Sequence, residues 1–106
     1  MKEEFNRILQ QCIEETFNEI FGREGAKTVY YHLGKELSAD IIHPRSFSEI
    51  LHRLFGSGAY AIERIIIRKL YHELGIEYSE KENYSFTGYI EDAKKTMETK
   101  RREKKP

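Results

Sequence analysis

Residues 5–21 read FNRILQQCIEETFNEIF, and this stretch shows the clearest secondary-structure pattern in the chain. Its apolar residues recur with the i, i+3, i+4, i+7 spacing of a single helix face, and its glutamates lie off that face. The apolar stripe consists of Phe5, Ile8, Leu9, Cys12, Ile13, Phe17, Ile20 and Phe21, with Thr16 in the same register. We therefore predict a long amphipathic α-helix that ends at Gly22, because glycine readily adopts the left-handed conformation of a helix cap.

The same periodicity predicts a second and a third helix. The second begins near Ala26 and ends at residues 38–40. The third has two alternative starts, since Pro44 suits the first helical position and Ser46 can form a capping box with Glu49. The residues leave both starts open, and in either case a glycine ends the helix.

The fourth predicted helix lies at residues 58–74, and its isoleucines widen the apolar surface beyond one stripe. Such a helix is either central in the fold or has a second partner surface. A strand at residues 65–71 is the competing assignment because isoleucine is β-branched, but the length of the helical pattern argues against it. Residues 75–84 are read as an ordered loop before a fifth helix that Ser85 caps.

A short motif occurs twice, as Phe-Gly-x-x-Gly-Ala at residues 21–26 and as Phe-Gly-x-Gly-Ala at residues 55–59. Each copy joins two amphipathic helices. It therefore predicts an αα-hairpin in which glycine turns the chain and alanine lets the next helix pack closely. We expect an all-α fold, a compact bundle of about five helices built around two αα-hairpins, in a single domain at residues 1–97.

The net charge of the chain is zero, but the charges are unevenly distributed along the sequence. The 106 residues contain 18 Lys and Arg and 18 Asp and Glu. Seven basic residues against two acids occur between residues 94 and 105, which gives this segment +5 and the rest of the chain −5. The seven are Lys94, Lys95, Lys100, Arg101, Arg102, Lys104 and Lys105. Because no apolar residue except the terminal proline follows Met97, residues 98–106 are predicted to form a basic, disordered tail.

Length and composition exclude several classes of protein. The longest apolar run, at residues 59–62, is too short to cross a membrane, and the N-terminus lacks the apolar region of a secretory signal. The single cysteine cannot form an internal disulfide, so a cytoplasmic location is the default expectation. Charged residues make up 34% of the chain while Asn and Gln number only five, a composition typical of thermophiles.

No motif for catalysis, metal binding or phosphate binding is present. Cys12 lies in the middle of the first apolar stripe, where burial would raise its pKa and make the thiol inert. No two of the four histidines have the i, i+4 spacing of a helical metal site. We therefore predict a protein that is not an enzyme, with no catalytic residue, no metal and no cofactor.

Aromatic residues indicate an interaction surface. The chain has seven tyrosines and six phenylalanines, and tyrosine is enriched at protein interfaces. Together with the wide apolar face of the fourth helix, this predicts a docking surface or a homodimer interface at Tyr60, Ile65, Ile67 and Tyr71. The basic segment is a second candidate, because such segments bind nucleic acid or an acidic partner, although they also occur as solubilising ends.

One part of the sequence resembles a known family. Residues 49–75 read EILHRLFGSGAYAIERIIIRKLYHELG and residues 84–95 read YSFTGYIEDAKK. With Pro44 ahead of them and YYHL at residues 30–33, they resemble a family of small archaeal domains that was catalogued as a Nitrosopumilus-type output domain. These domains occur alone or at the C-terminal ends of signalling proteins. The resemblance covers residues 1–96 and implies a helical domain in a signalling or regulatory context, without catalytic residues.

These observations predict a non-enzymatic interaction or output module that docks a protein partner in archaeal-type signalling or regulation. The alternative is a small nucleic-acid-binding regulator that uses the basic segment at residues 94–105 and one helical face. The acidic body of the domain favours the first prediction, because a protein that binds nucleic acid through its overall charge is usually basic.

Overall fold

The computed structural model describes residues 2–34 and 42–103, which form four α-helices. The helices are α1 (Lys2–Leu33), α2 (Pro44–Phe55), α3 (Gly58–Leu74) and α4 (Phe86–Glu103). Residues 75–85 form the α3–α4 loop. The described residues contain no strand, so the all-α prediction is confirmed and the alternative strand in α3 is wrong. None of the described helices combines the length and the apolar composition that crossing a membrane requires.

α3 is the central helix, and it packs against α1, α2 and α4. Its buried residues lie on more than one face and are Ala59, Ile62, Glu63, Ile66, Ile67, Leu70 and Tyr71. The wide apolar surface of this helix is therefore buried within the domain. Of the two explanations that the sequence left open, a central position is the one that the structure shows.

α1 contains a sharp kink at Gly22, where φ is 73° and ψ is 172°. The arm after the kink folds back on the first arm, and the Tyr30 hydroxyl there donates a hydrogen bond to the Glu14 carbonyl oxygen at 3.3 Å. The sequence predicted two separate helices here, and the predicted count of five is wrong by one. Gly22 itself has non-helical dihedral angles, and the two helical arms meet at this residue without a loop between them. The predicted end of the second helix, at residues 38–40, lies outside the described residues.

The two glycine joints are alike and lie together. Gly56 has φ 57° and ψ −135°, so both joints combine a positive φ with an extended ψ. The rings of Phe21 and Phe55, which precede the two glycines, stack with their centroids 5.2 Å apart. The alanine of each motif copy has no exposed surface. The repeated motif therefore marks two αα-hairpins whose turns contact each other.

Local signals set two of the helix starts. α2 begins at Pro44 without a side-chain cap, so the proline start is confirmed and the capping box at Ser46 is wrong. The Ser85 hydroxyl accepts a hydrogen bond from the Gly88 amide at 3.0 Å, which confirms the predicted cap of α4.

α4 continues to Glu103, beyond the predicted end of the domain. The prediction of a disordered tail at residues 98–106 is wrong up to Glu103, and residues 104–106 lie outside the described residues. Lysine, arginine and glutamate are good helix formers, so an apolar stripe is not needed to continue the helix. Lys100 also donates a hydrogen bond to the Gly75 carbonyl oxygen at 2.7 Å, which ties α4 to the end of α3.

Candidate binding groove

The predicted docking residues do not share one exposed face. The exposed fraction is 65% for Tyr60 but only 4% for Ile67 and 6% for Tyr71, and Ile65 is half-buried. α4 covers this side of α3, and the Tyr71 hydroxyl donates a hydrogen bond to the Tyr89 carbonyl oxygen at 2.8 Å. Ile67 and Tyr71 are therefore buried, so the predicted exposed surface is wrong at these two positions, although Ile67 lines the same groove as Tyr60. Tyr60 alone of the four is largely exposed.

Tyr60 lies beside a groove between α2, α3, the α3–α4 loop and the start of α4. The groove has a volume of about 430 Å³, within the range of ligand pockets in proteins. Three of its polar lining residues, Ser48, His52 and Glu63, lie on the facing helices α2 and α3. The loop contributes Tyr78 and Tyr84 to the lining.

A buried carboxylate lies in the wall of the groove. The Glu63 side chain is only 6% exposed, and its Oε2 accepts a hydrogen bond from the Ser48 hydroxyl. Its Oε1 lies 3.0 Å from Nε2 of His52. The Tyr60 ring packs edge-on against the His52 ring, with the centroids 4.4 Å apart. Each carboxylate oxygen therefore has a polar partner, which a buried charge requires.

This arrangement differs from a nucleophilic triad. In such a triad the imidazole lies between the hydroxyl and the carboxylate and removes the hydroxyl proton. Here the Glu63 carboxylate lies between Ser48 and His52. Within the described residues no hydrogen bond joins the Ser48 hydroxyl to the imidazole. The hydroxyl and the imidazole therefore contact the same carboxylate and not each other, unlike in a Ser-His-Asp triad.

Two ion pairs neutralise permanent cations along the groove. Arg64 Nη2 lies 2.7 Å from Oε1 of Glu80, and Lys81 Nζ lies 3.3 Å from Oδ2 of Asp92. By contrast, no lysine or arginine in the described part of the chain forms an ion pair with Glu63. The groove therefore contains one buried carboxylate whose partners are a hydroxyl and an imidazole.

Tyr84 is held rigidly at the edge of the groove. Its hydroxyl donates a hydrogen bond to Oδ2 of Asp92 at 2.6 Å, which raises the pKa of Tyr84 and lowers the pKa of Asp92. Its ring packs edge-on against the Tyr89 ring, with the centroids 4.8 Å apart. A Cβ atom at Gly88 would lie only 2.8 Å from the Tyr84 ring, so glycine is required for this close packing. The aromatic wall is thus in place before any ligand binds.

The basic candidate residues lie apart from the groove. Lys94, Lys95 and Lys100 are on α4, and none of them lines it. The side chains of Arg101 and Arg102, and all of Lys104 and Lys105, lie outside the described residues. The described part of the chain also contains no group of three or more His, Cys, Asp or Glu side chains that could hold a metal ion.

Cys12 occupies the core position that the sequence predicted. It is 1% exposed, and burial, reinforced by nearby Glu15, raises the pKa of its thiol to about 12. The thiolate is the reactive form of cysteine, so the native thiol is doubly protected by its pKa and by the lack of access.

We expect Ellman's reagent to label Cys12 at least ~100-fold more slowly in the native protein than in urea, because each pKa unit lowers the thiolate fraction about tenfold. The absorbance of the released thionitrobenzoate measures the rate. Since Cys12 is the only cysteine, a Cys12→Ala variant gives the background. Stoichiometric labelling at the unfolded rate, with native circular dichroism retained, would contradict this prediction.

In comparisons with known proteins, no protein-family model, no curated protein and no solved structure matches this chain. The resemblance to archaeal output domains therefore stays a prediction that rests on the sequence patterns described above.

Proposed function

We propose that the protein is a non-enzymatic interaction module and that a segment of a partner protein docks in the groove beside Tyr60. The observation that carries this proposal is the exposed Tyr60 ring next to a preformed groove with a buried polar group in its wall. Exposed tyrosines beside such groups recur at protein interfaces, because the ring supplies apolar area and the hydroxyl a polar contact. The absence of a triad-like pairing of Ser48 with the His52 imidazole among the described residues agrees with this proposal.

The proposal includes three features that the sequence predicts: an output role in archaeal-type signalling or regulation, a thermophilic source and a cytoplasmic location. The burial of Ile67 and Tyr71 within the domain leaves less apolar surface for self-association as a homodimer. Light scattering coupled to size exclusion would measure the oligomeric state directly.

The test of docking compares two exposed tyrosines. A photo-crosslinking residue at position 60 identifies a partner, and binding of that purified partner is then measured for the wild type, Tyr60→Ala and Tyr31→Ala. Tyr31 is 83% exposed and does not line the groove, so it is a matched control. We expect Tyr60→Ala to weaken binding at least ~10-fold, as the loss of an aromatic hot spot does, and Tyr31→Ala to leave it unchanged. Equal effects of the two variants would overturn the proposal.

The alternative function is nucleic-acid binding by the basic segment. Its support is the local charge of +5, but the remainder of the chain carries −5 and Lys100 already contacts the Gly75 carbonyl. A mobility-shift experiment at low and moderate salt separates the two functions. Tight binding that falls steeply with salt, and that is lost when the segment's lysines are changed to glutamine, would establish the alternative. Substitution is preferable to deletion because α4 is helical up to Glu103.

A further inference from the structure

We propose that the groove binds a cationic side chain, the ammonium of a lysine or the guanidinium of an arginine, which the partner presents to Glu63. This inference rests on the proposed function, because it names the chemistry of the segment that docks. Two observations support it: the charges of the groove residues, and the contacts that cations of this chain make with the tyrosine rings of the groove.

The unmatched charge in the groove is negative. Arg64 and Lys81 are paired with Glu80 and Asp92, whereas Glu63 has only the Ser48 hydroxyl and the His52 imidazole as partners. A carboxylate oxygen can accept two hydrogen bonds, so each oxygen of Glu63 retains one acceptor site. A cation would gain both the free acceptor sites and the Coulombic attraction of a carboxylate shielded from solvent.

The tyrosine rings of the groove are of a kind that holds cations. Lys81 Nζ lies 4.6 Å from the centroid of the Tyr84 ring, and Arg68 Cζ lies 5.8 Å from that of Tyr78. These distances are within the range of cation–π attraction. In the described residues, no lysine or arginine of this chain lies over the Tyr60 ring, which packs against His52 and lines the same groove as Glu63. Tyr60 and Glu63 together therefore offer a ring and a carboxylate to one incoming cation.

Other occupants fit less well. An anionic group would meet the buried Glu63 carboxylate and would have to break the ion pair of Arg64 with Glu80 to find a cation. A purely apolar side chain would leave the remaining acceptor sites of Glu63 covered and unpaired, which costs free energy.

Titration of the folded protein with capped single-residue probes, followed by amide chemical shifts in two-dimensional NMR, tests the proposal. The probes are N-acetyl-lysine methylamide, its Nε-acetylated form, the arginine and glutamate analogues, and free 1,4-diaminobutane. We expect the lysine or arginine probe to shift groove residues, with binding at least ~10-fold tighter than that of the neutral acetylated form. The better of the two cations then identifies the side chain.

Two variants on the same helix provide the matched comparison. Glu63→Gln removes the buried charge, and Glu73→Gln makes the same change at an exposed position of α3. We expect at least ~10-fold loss of cation binding for the first and no change for the second. Tyr60→Ala, whose ring is largely exposed, keeps the test valid if Glu63→Gln does not fold. The amide spectrum itself shows whether each variant is folded.

The outcomes separate this inference from the proposed function. Binding of the neutral or acidic probe at the groove, without preference for a cation, would overturn the inference and leave the docking groove standing. Tighter binding of free 1,4-diaminobutane than of the capped lysine would overturn the partner side chain as occupant. If no probe shifts the groove residues, the inference fails. The proposed function fails as well only if Tyr60→Ala also leaves partner binding unchanged.

Discussion

Phe47→Ala lowers the free energy of unfolding by about 3–5 kcal/mol, the range for removal of a fully buried phenylalanine. Phe47 has no exposed surface. Its ring packs against the rings of Phe17 and Phe86, with centroid distances of 6.4 Å and 5.7 Å. One side chain of α2 therefore joins α1 to α4. The substitution removes buried apolar surface and leaves a cavity between α1, α2 and α4. These three helices cannot all move inward to fill it. For a small domain with roughly 5–15 kcal/mol of stability, this is a large fraction.

Urea unfolding followed by circular dichroism measures this effect, with the slope of the transition as a check that the variant still unfolds in one step. Leu54→Ala is the control on the same helix, because Leu54 is 38% exposed and its loss should cost much less. Similar midpoints for the two variants would contradict the placement of Phe47 at the centre of the core.

Gly22→Ala is expected to destabilise the domain by about 1–3 kcal/mol through backbone strain alone. At φ 73° and ψ 172°, Gly22 occupies a region that residues with a Cβ atom rarely adopt. No atom lies within 4 Å of the position that the Cβ would take, so a steric clash does not contribute. The strain would be relieved if α1 became straight. The Tyr30 ring would then lose its packing against the Phe17 ring, whose centroid is 5.8 Å from its own.

Gly58→Ala is the matched control for this prediction. Gly58 is the first residue of α3, and its added Cβ would lie at an ordinary contact distance, 4.0 Å, from Phe55. Alanine favours the helix more than glycine does, so we expect a neutral effect or a gain of up to about 1 kcal/mol. Urea midpoints compare the two variants. Equal stabilities would show that the kink at Gly22 imposes no strain.

The candidate site was only partly visible in the sequence. Glu63 lies four residues after Ala59 and four before Ile67, so a charged residue occupies a core position of the α3 stripe. Ser48 and His52 are also four apart, which places them on the same side of α2. A search for polar residues on apolar stripes would have found Glu63. It would not have found its partners, because the contact between α2 and α3 brings them together across 11 and 15 residues of chain.

The amino-acid sequence determined the helices, the two glycine turns and the buried position of Cys12. These features follow from side-chain periodicity and from the backbone freedom of glycine, which act over a few residues. Only the tertiary structure decided that Ile67 and Tyr71 are buried and that Glu63 contacts Ser48 and His52. The physical reason is that burial and pairing depend on which helix faces pack together. That choice minimises the free energy of the whole domain and is not carried by any single segment.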